Sequence, residues 1–180
     1  MACDLSSGRV VDCKDSVGGI SKVFIGNYQD MINNTSWAAA SADTVTAIAA
    51  QDFYEFDVRP ETSSMTINYQ SDPASGTTYF EQALSLTFQK LDATDIEDIR
   101  VMCQGRPNIW VLDNNNKCWL IGAEFGCNVT GGGLVTGTAF GDLTGYTIEF
   151  MGKEANPTWL ANAATTVGEP LSGVTGATVV

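Results

Sequence analysis

Histidine is absent from this chain and basic residues are scarce: 9 Lys and Arg stand against 21 Asp and Glu over 180 residues, a formal net charge of −12. Without histidine there is no Ser-His-Asp or Cys-His device and no histidine-bearing metal site. With so few cations a basic groove for nucleic acid is improbable, and contact with anionic membranes is disfavoured. Long apolar runs are missing too. No stretch of roughly 18 apolar residues predicts a transmembrane helix. The opening Met1-Ala2-Cys3-Asp4-Leu5 lacks the basic start and apolar core of a signal peptide, which predicts a chain made in a cytoplasm.

The five cysteines, Cys3, Cys13, Cys103, Cys118 and Cys127, contain no Cys-x-x-Cys pair. An odd number of thiols without an export signal predicts small buried residues and no disulfide framework, with Cys3 and Cys13 able to pair only after release into an oxidising medium. Two carboxylate pairs, Glu55 with Asp57 and Glu97 with Asp98, are sequence neighbours on single elements. A glycosidase needs its two carboxylates facing each other across a cleft. The glycine-rich stretches Gly131-Gly132-Gly133 and Gly137 to Gly141 lack the Gly-Lys-Ser/Thr ending of a phosphate loop and the helix that follows one. The expectation is therefore no enzyme, no cofactor and no metal.

What is present is alternation. Lys22 to Tyr28 places Val23, Ile25 and Asn27 on one face and Phe24 on the other, as in a strand covered on both sides. Thr44 to Ile48 predicts a short strand, although Trp37 to Ala40 before it has helix propensity. Asp52 to Val58 sets Tyr54, Phe56 and Val58 on an apolar face and Phe53, Glu55 and Asp57 on a largely acidic one. Ser64 to Tyr69 alternates again and is expected to pair with that strand across Arg59 to Ser63. Gln70 to Thr78, with Asp72-Pro73 and Ser75-Gly76, predicts a long exposed loop.

The stretch from Ala83 to Glu154 carries the densest pattern. Leu84, Leu86 and Phe88 share one face of a strand. Thr94 with Glu97 three residues on has capping-box spacing, Ile96, Ile99 and Cys103 are expected to face inward, and Gly105 and Pro107 stop the helix. A hairpin follows, Ile109 to Leu112 and Cys118 to Ile121 around an asparagine-rich turn, with Trp110 and Leu112 set against Trp119 and Ile121. Glu124 to Val129 extends the second arm before Gly131-Gly132-Gly133 release the chain, and Tyr146, Ile148 and Phe150 mark a last strand. Beyond Asn156-Pro157 the tail is low in charge, with Trp159-Leu160 as its strong anchor, and reads as an interface segment.

Together these predict a mainly β fold: an antiparallel β-sandwich or barrel with one short α-helix, about Thr94 to Gln104, and extended terminal arms and loops. The chain is read as one domain, with an N-terminal arm at 1–19, a core at 20–154 and a C-terminal extension at 155–180.

The order of elements, and the segment Gly137-Thr-Ala-Phe-Gly-Asp-Leu-Thr-Gly-Tyr-Thr-Ile-Glu-Phe-Met-Gly-Lys-Glu154, resemble tailed-bacteriophage tail tube proteins. The openings Ala2 to Arg9 and Cys13 to Ile20 are similar to those of phage structural proteins. The resemblance implies a virion structural protein assembled in the host cytoplasm, a β-sandwich packed on one helix that forms hexameric rings. Its partners would be further copies of itself and other tail proteins, and stacked rings would make a tube that DNA crosses as a passenger it does not bind. Glu55 and Asp57 are the candidate channel-facing acids, and Val10, Val11, Trp159 and Leu160 the candidate subunit contacts. A capsid decoration or baseplate protein is the alternative, and a carbohydrate-binding sandwich using Trp37, Trp119 or Trp159 a more distant one.

Overall fold

A computed structural model describes residues 14, 16–41, 43–90 and 92–180. Val10, Val11, Cys3 and Cys13 lie outside them. The described residues form eleven strands and one helix: β1 (Ile20–Gly26), β2 (Ala38–Ser41), β3 (Thr44–Asp57), β4 (Ser64–Asp72), β5 (Thr77–Gln89), α1 (Ala93–Gln104), β6 (Asn108–Asp113), β7 (Cys118–Ile121), β8 (Cys127–Val135), β9 (Gly145–Glu154), β10 (Trp159–Ala161) and β11 (Thr175–Val179). They make two sheets, one of seven strands and one of four, so the chain is a β-sandwich with one short helix.

The larger sheet closes on itself. Pairings run β1–β6–β7–β10–β3 and return from β3 to β1, with β2 and β11 added to the remaining edges of the long β3. Phe24, Phe53, Trp110 and Leu120 fill this ring and are fully buried. Strand β1 is covered on both faces, as its sequence predicts: Phe24 points into the ring, while Val23 and Ile25 point to the second sheet. That sheet, in order β4–β5–β9–β8, is antiparallel throughout. Its inner face, with Leu84, Leu86, Phe88, Tyr146, Ile148 and Phe150, packs on Val23, Ile25, Ile109, Val111 and Ile121.

Several expectations need correction. Thr44–Ile48 and Asp52–Val58 are one continuous strand, β3. The following strand does not pair back on it, because both edges of β3 are already taken by β1, β2, β10 and β11. The chain instead crosses to the other sheet, Val58 donating its N–H to Ser21 O at 3.2 Å and Thr62 Oγ1 donating to Arg59 O at 2.7 Å in the turn. Gln70 to Thr78 is mostly strand: β4 and β5 pair out to Asp72 and Thr77, and Asp72 closes the short turn by accepting the Ala74 N–H at 2.9 Å. In the hairpin β6–β7 the register opposes Trp110 to Leu120 and Val111 to Trp119, so the two tryptophans lie on opposite faces and do not pair. The helix begins at Ala93, which moves its cap position from Thr94 to Asp92. It faces inward through Met102 and Ile99, leaving Ile96 and Cys103 exposed.

Gly131-Gly132-Gly133 does not release the chain either. All three residues belong to β8, which carries a bulge between Val129 and Gly131. Gly132 takes φ +141, and a Cβ there would stand 2.3 Å from Thr147 O, so only glycine lets β8 lie this close to β9. The tail after 154 is structural rather than peripheral. It supplies β10 and β11, and Leu171 and Val174 are buried with the ring core.

Candidate assembly surfaces

The four-stranded sheet ends in two open edges. Apart from Cys127, whose N–H is donated to Pro107 O at 2.9 Å, no described backbone pairs with the outer side of β8, and none pairs with the outer side of β4. Natural proteins blunt such edges with lysine, proline or inward-pointing charge. Here β8 reads Cys-Asn-Val-Thr-Gly-Gly-Gly-Leu-Val with no charge, and β4 reads Ser-Met-Thr-Ile-Asn-Tyr-Gln-Ser-Asp with one, at its end.

Apolar side chains from the inner face reach solvent at both edges. Tyr69 is exposed on β4, set edge-to-face on Phe80 with centroids 5.4 Å apart, and Leu134 is exposed on β8. Beneath β8, Ile96, Ile99 and Leu134 help line a groove of about 500 Å³ that helix α1 leaves open. The registers also stagger the edges. β4 spans the β5 residues 77–85, whereas β8 lies across β9 from residues 82–89, so each edge overshoots the other at one end.

The outer face of this sheet is mostly polar, with Tyr79, Ala83 and Met151 its apolar members. Ser64, Thr66, Asn68 and Gln70 from β4 stand beside Ser85 and Thr87 of β5 and Thr147 and Glu149 of β9. Lys153 pairs with Glu81 at 3.1 Å, a contact that raises the lysine pKa, and its ammonium lies 5.5 Å from the Tyr79 ring. Glu149 makes no ion pair among the described residues.

Glu55 and Asp57 lie elsewhere, on β3 in the larger sheet. Lys22 on β1 bonds to Glu55 and stands 3.5 Å from Asp57, and the Glu55 hydrogen bond is the main reason its pKa is raised. The face they share is not a purely acidic one, because Phe53 on the same side is fully buried in the ring. Lys22 also borders a cleft of about 770 Å³ at the mouth of the ring, with Cys118 and Ala161 towards the core and Thr165 to Glu169 at its rim.

Trp159 and Leu160 are half-buried within the sheet, opposite Leu120 and Trp119. Trp159 packs edge-to-face on Trp37, with centroids 5.1 Å apart, and Trp119 donates its Nε1–H to Asp113 Oδ2 at 3.1 Å. These apolar residues are thus engaged by their own chain.

A buried polar cluster fixes the loop before β8, and no local pattern in the chain points to it. Gln82 accepts the Gly122 N–H and donates to Pro157 O, both at 2.8 Å. Asn108 accepts the Gln29 N–H at 2.7 Å and donates to Gly122 O. Among the described residues no group of three or more His, Cys, Asp or Glu is placed to hold a metal ion. No helix in the described residues is long and apolar enough to cross a membrane. No family model, curated protein or solved structure matches the chain.

Proposed function

We propose that this chain is a self-assembling virion structural subunit, of the kind that forms a tail tube. The observation that carries the reading is the pair of open, charge-poor edges on the four-stranded sheet. Strands alternate in direction from β4 through β5 and β9 to β8, so β8 of one copy and β4 of the next, related by rotation about an axis along the strands, meet antiparallel. The alternation continues across the junction, and a head-to-tail contact of this type closes into a ring when the rotation closes. The stagger of the edges supplies the shear that tilted strands need in a closed sheet, and the glycine-rich bulge of β8 supplies local twist.

In such a ring of six, the polar outer face of β4–β5–β9–β8 is the natural channel wall. Hydroxyls and amides with the negative Glu149, and a Lys153 whose charge is offset by Glu81, leave the face net negative, which suits a passenger. This moves the channel assignment from Glu55 and Asp57, which have Lys22 as partner, to the other sheet. Rings of this chain would stack and meet other tail proteins at the tube ends, in a virion assembled in the host cytoplasm. Support over a carbohydrate-binding sandwich comes from the tryptophans, which are half-buried against each other or bonded to Asp113.

Negative-stain microscopy of the concentrated protein tests the reading. Closed rings or open-ended tubes are expected. Monomers at every concentration, with retention on a glycan column, would overturn it.

A further inference from the structure

Phe140 is fully exposed at the tip of the β8–β9 connection, and the loop that presents it is braced by hydrogen bonds of its own. Asp142 Oδ2 accepts three hydrogen bonds across the loop, from Thr138 N at 2.9 Å, Thr138 Oγ1 at 3.1 Å and Ala139 N at 2.8 Å. Asp142 N donates to Ala139 O at 3.1 Å, and Thr144 Oγ1 closes the base on Thr136 O at 3.0 Å. A large apolar ring on a loop fixed in advance loses little conformational entropy on docking, which is the character of an interface anchor.

A hole that suits this knob exists on the same chain, and Phe140, fully exposed, does not occupy it. A cavity of about 340 Å³ opens between the C-terminal half of α1 and the strands β1 and β3, walled by Ile25, Tyr28, Tyr54, Phe56 and Met102. Its size is at the low end for ligand pockets, roughly 300–1,000 Å³, and fits a single aromatic side chain. The Phe140 loop joins the molecule at the other end of the helix, where Lys90 N donates to Thr144 O at 2.8 Å just before α1 begins. The helix residues that wall the cavity run from Asp98 to Met102, so along the axis it lies roughly 7–14 Å from the start of α1.

Charge matches as well. Arg106 lies over the Tyr28 ring at 4.3 Å on the cavity wall and makes no ion pair among the described residues. The loop brings a carboxylate two residues after Phe140, and the hydrogen bonds that the carboxylate accepts among the described residues all go to Asp142 Oδ2. Asp98 is the other charged residue lining the cavity, and it sits on the helix. In a chain of net charge −12, an unpaired arginine beside an aromatic-lined hole is a selective place for an acidic knob.

We infer that Phe140 of one copy inserts into the Tyr28–Tyr54–Met102 cavity of a second copy, with Asp142 against Arg106, in a head-to-tail contact directed along α1. Such a contact joins unlike surfaces, and where its rotation does not close it repeats from copy to copy and stacks the rings that the β8–β4 junction closes. It rests on the reading of the chain as a self-assembling subunit and assigns the axial contact of that assembly.

The test places the photo-crosslinker benzoylphenylalanine at position 140 in a mixture of isotopically light and heavy full-length chains. Crosslinks between a light and a heavy chain, mapping to 98–107, 25–28 or 54–56, are expected. Crosslinks within one chain or to other regions overturn the inference. So does binding to phosphatidylcholine vesicles that Phe140→Ser abolishes, which would make the knob a membrane anchor. Phe140→Ser and Tyr54→Arg should each weaken axial association at least tenfold, roughly the loss of one anchor. Mixing the two variants should restore pairs and no longer stacks, since only one intact knob and hole remain. If Phe140→Ser stacks like the wild type, the inference fails while the ring reading stands. If the inter-copy crosslink maps to the cavity but rings never form, the contact stands and the tube reading fails.

Discussion

Glu154 accepts the backbone N–H of Phe125 at 3.0 Å, from a carboxylate that is almost wholly buried beneath the start of β8. Glu124 N adds a second donor at 3.2 Å. Burial is the larger influence and raises the pKa above its ordinary 4.5, and the charges of Glu124 and Asp30 add to the rise while the two N–H bonds oppose it. A raised carboxylate pKa means that the folded state holds its proton more tightly than the unfolded chain. The resulting penalty is present in full above the folded pKa and disappears as pH falls towards 4.5. Glu154→Gln removes the titration, so the melting temperature of the wild type should gain on that of the variant between about pH 7 and about pH 5. A difference that is flat, or moves the other way, would refute the assignment.

Gln82 offers a second test of the same cluster. Gln82→Leu keeps the side-chain volume but leaves the Gly122 N–H and the Pro157 carbonyl without their partner. Unsatisfied groups of this kind cost about 1–3 kcal/mol each, so a total loss of about 2–6 kcal/mol is expected. In a chain of this length that lowers the melting temperature by roughly 4–24 °C. Thermal unfolding followed by far-ultraviolet circular dichroism measures it, and a drop under roughly 2 °C would show that water replaces the amide.

Patterning revealed strands well and partners poorly. The two-sided burial of β1 was legible because Val23, Phe24 and Ile25 are apolar in succession, and the inner face of β5 was legible because Leu84, Leu86 and Phe88 alternate. Pairing is a property of the whole sheet. Nothing local to Asp52–Val58 says that both edges of β3 are occupied, so a hairpin with β4 was the natural expectation. Glycine misled for a related reason: Gly132 reads as a break, and only the nearness of Thr147 O shows that the missing side chain lets two strands approach. The tail misled because β10 and β11 are short strands that join β3 in parallel, far from their sequence neighbours. As for the candidate surfaces, a charge-poor edge is visible in β4 and β8 only once it is known that they are edges.

The described cysteines divide by burial. Cys118 and Cys127 are enclosed, and burial pushes both thiols far above the ordinary value of 9.0, with nearby Asp113 and Glu154 adding to the effect. Cys103 is exposed on α1. Iodoacetamide applied to the native protein at neutral pH, read by peptide mass spectrometry, should label Cys103 at least tenfold faster than Cys118 or Cys127, because only an accessible thiol meets the reagent. Equal rates would mean that the ring opens on the labelling timescale.

The edge of β4 gives the most direct test of assembly. Ile67 lies on the inner face of that strand and is half-buried, opposite Gln82 and next to an edge with no further strand. In a single copy, a lysine at this position can reach water along the open edge, so Ile67→Lys should cost the monomer only about 1 kcal/mol. In a ring the same charge would be enclosed between β4 and the β8 of a neighbour, where an unpaired cation costs several kcal/mol. The variant should therefore melt close to the wild type and yet form no rings in sedimentation velocity. Its β8 edge is untouched, so it still offers one of the two joining surfaces. A minor fraction of Ile67→Lys mixed with the wild type should accordingly cap growing arcs and reduce closed rings out of proportion to its amount. A variant that assembles normally, or that merely dilutes the wild type, would show that these edges do not join the copies.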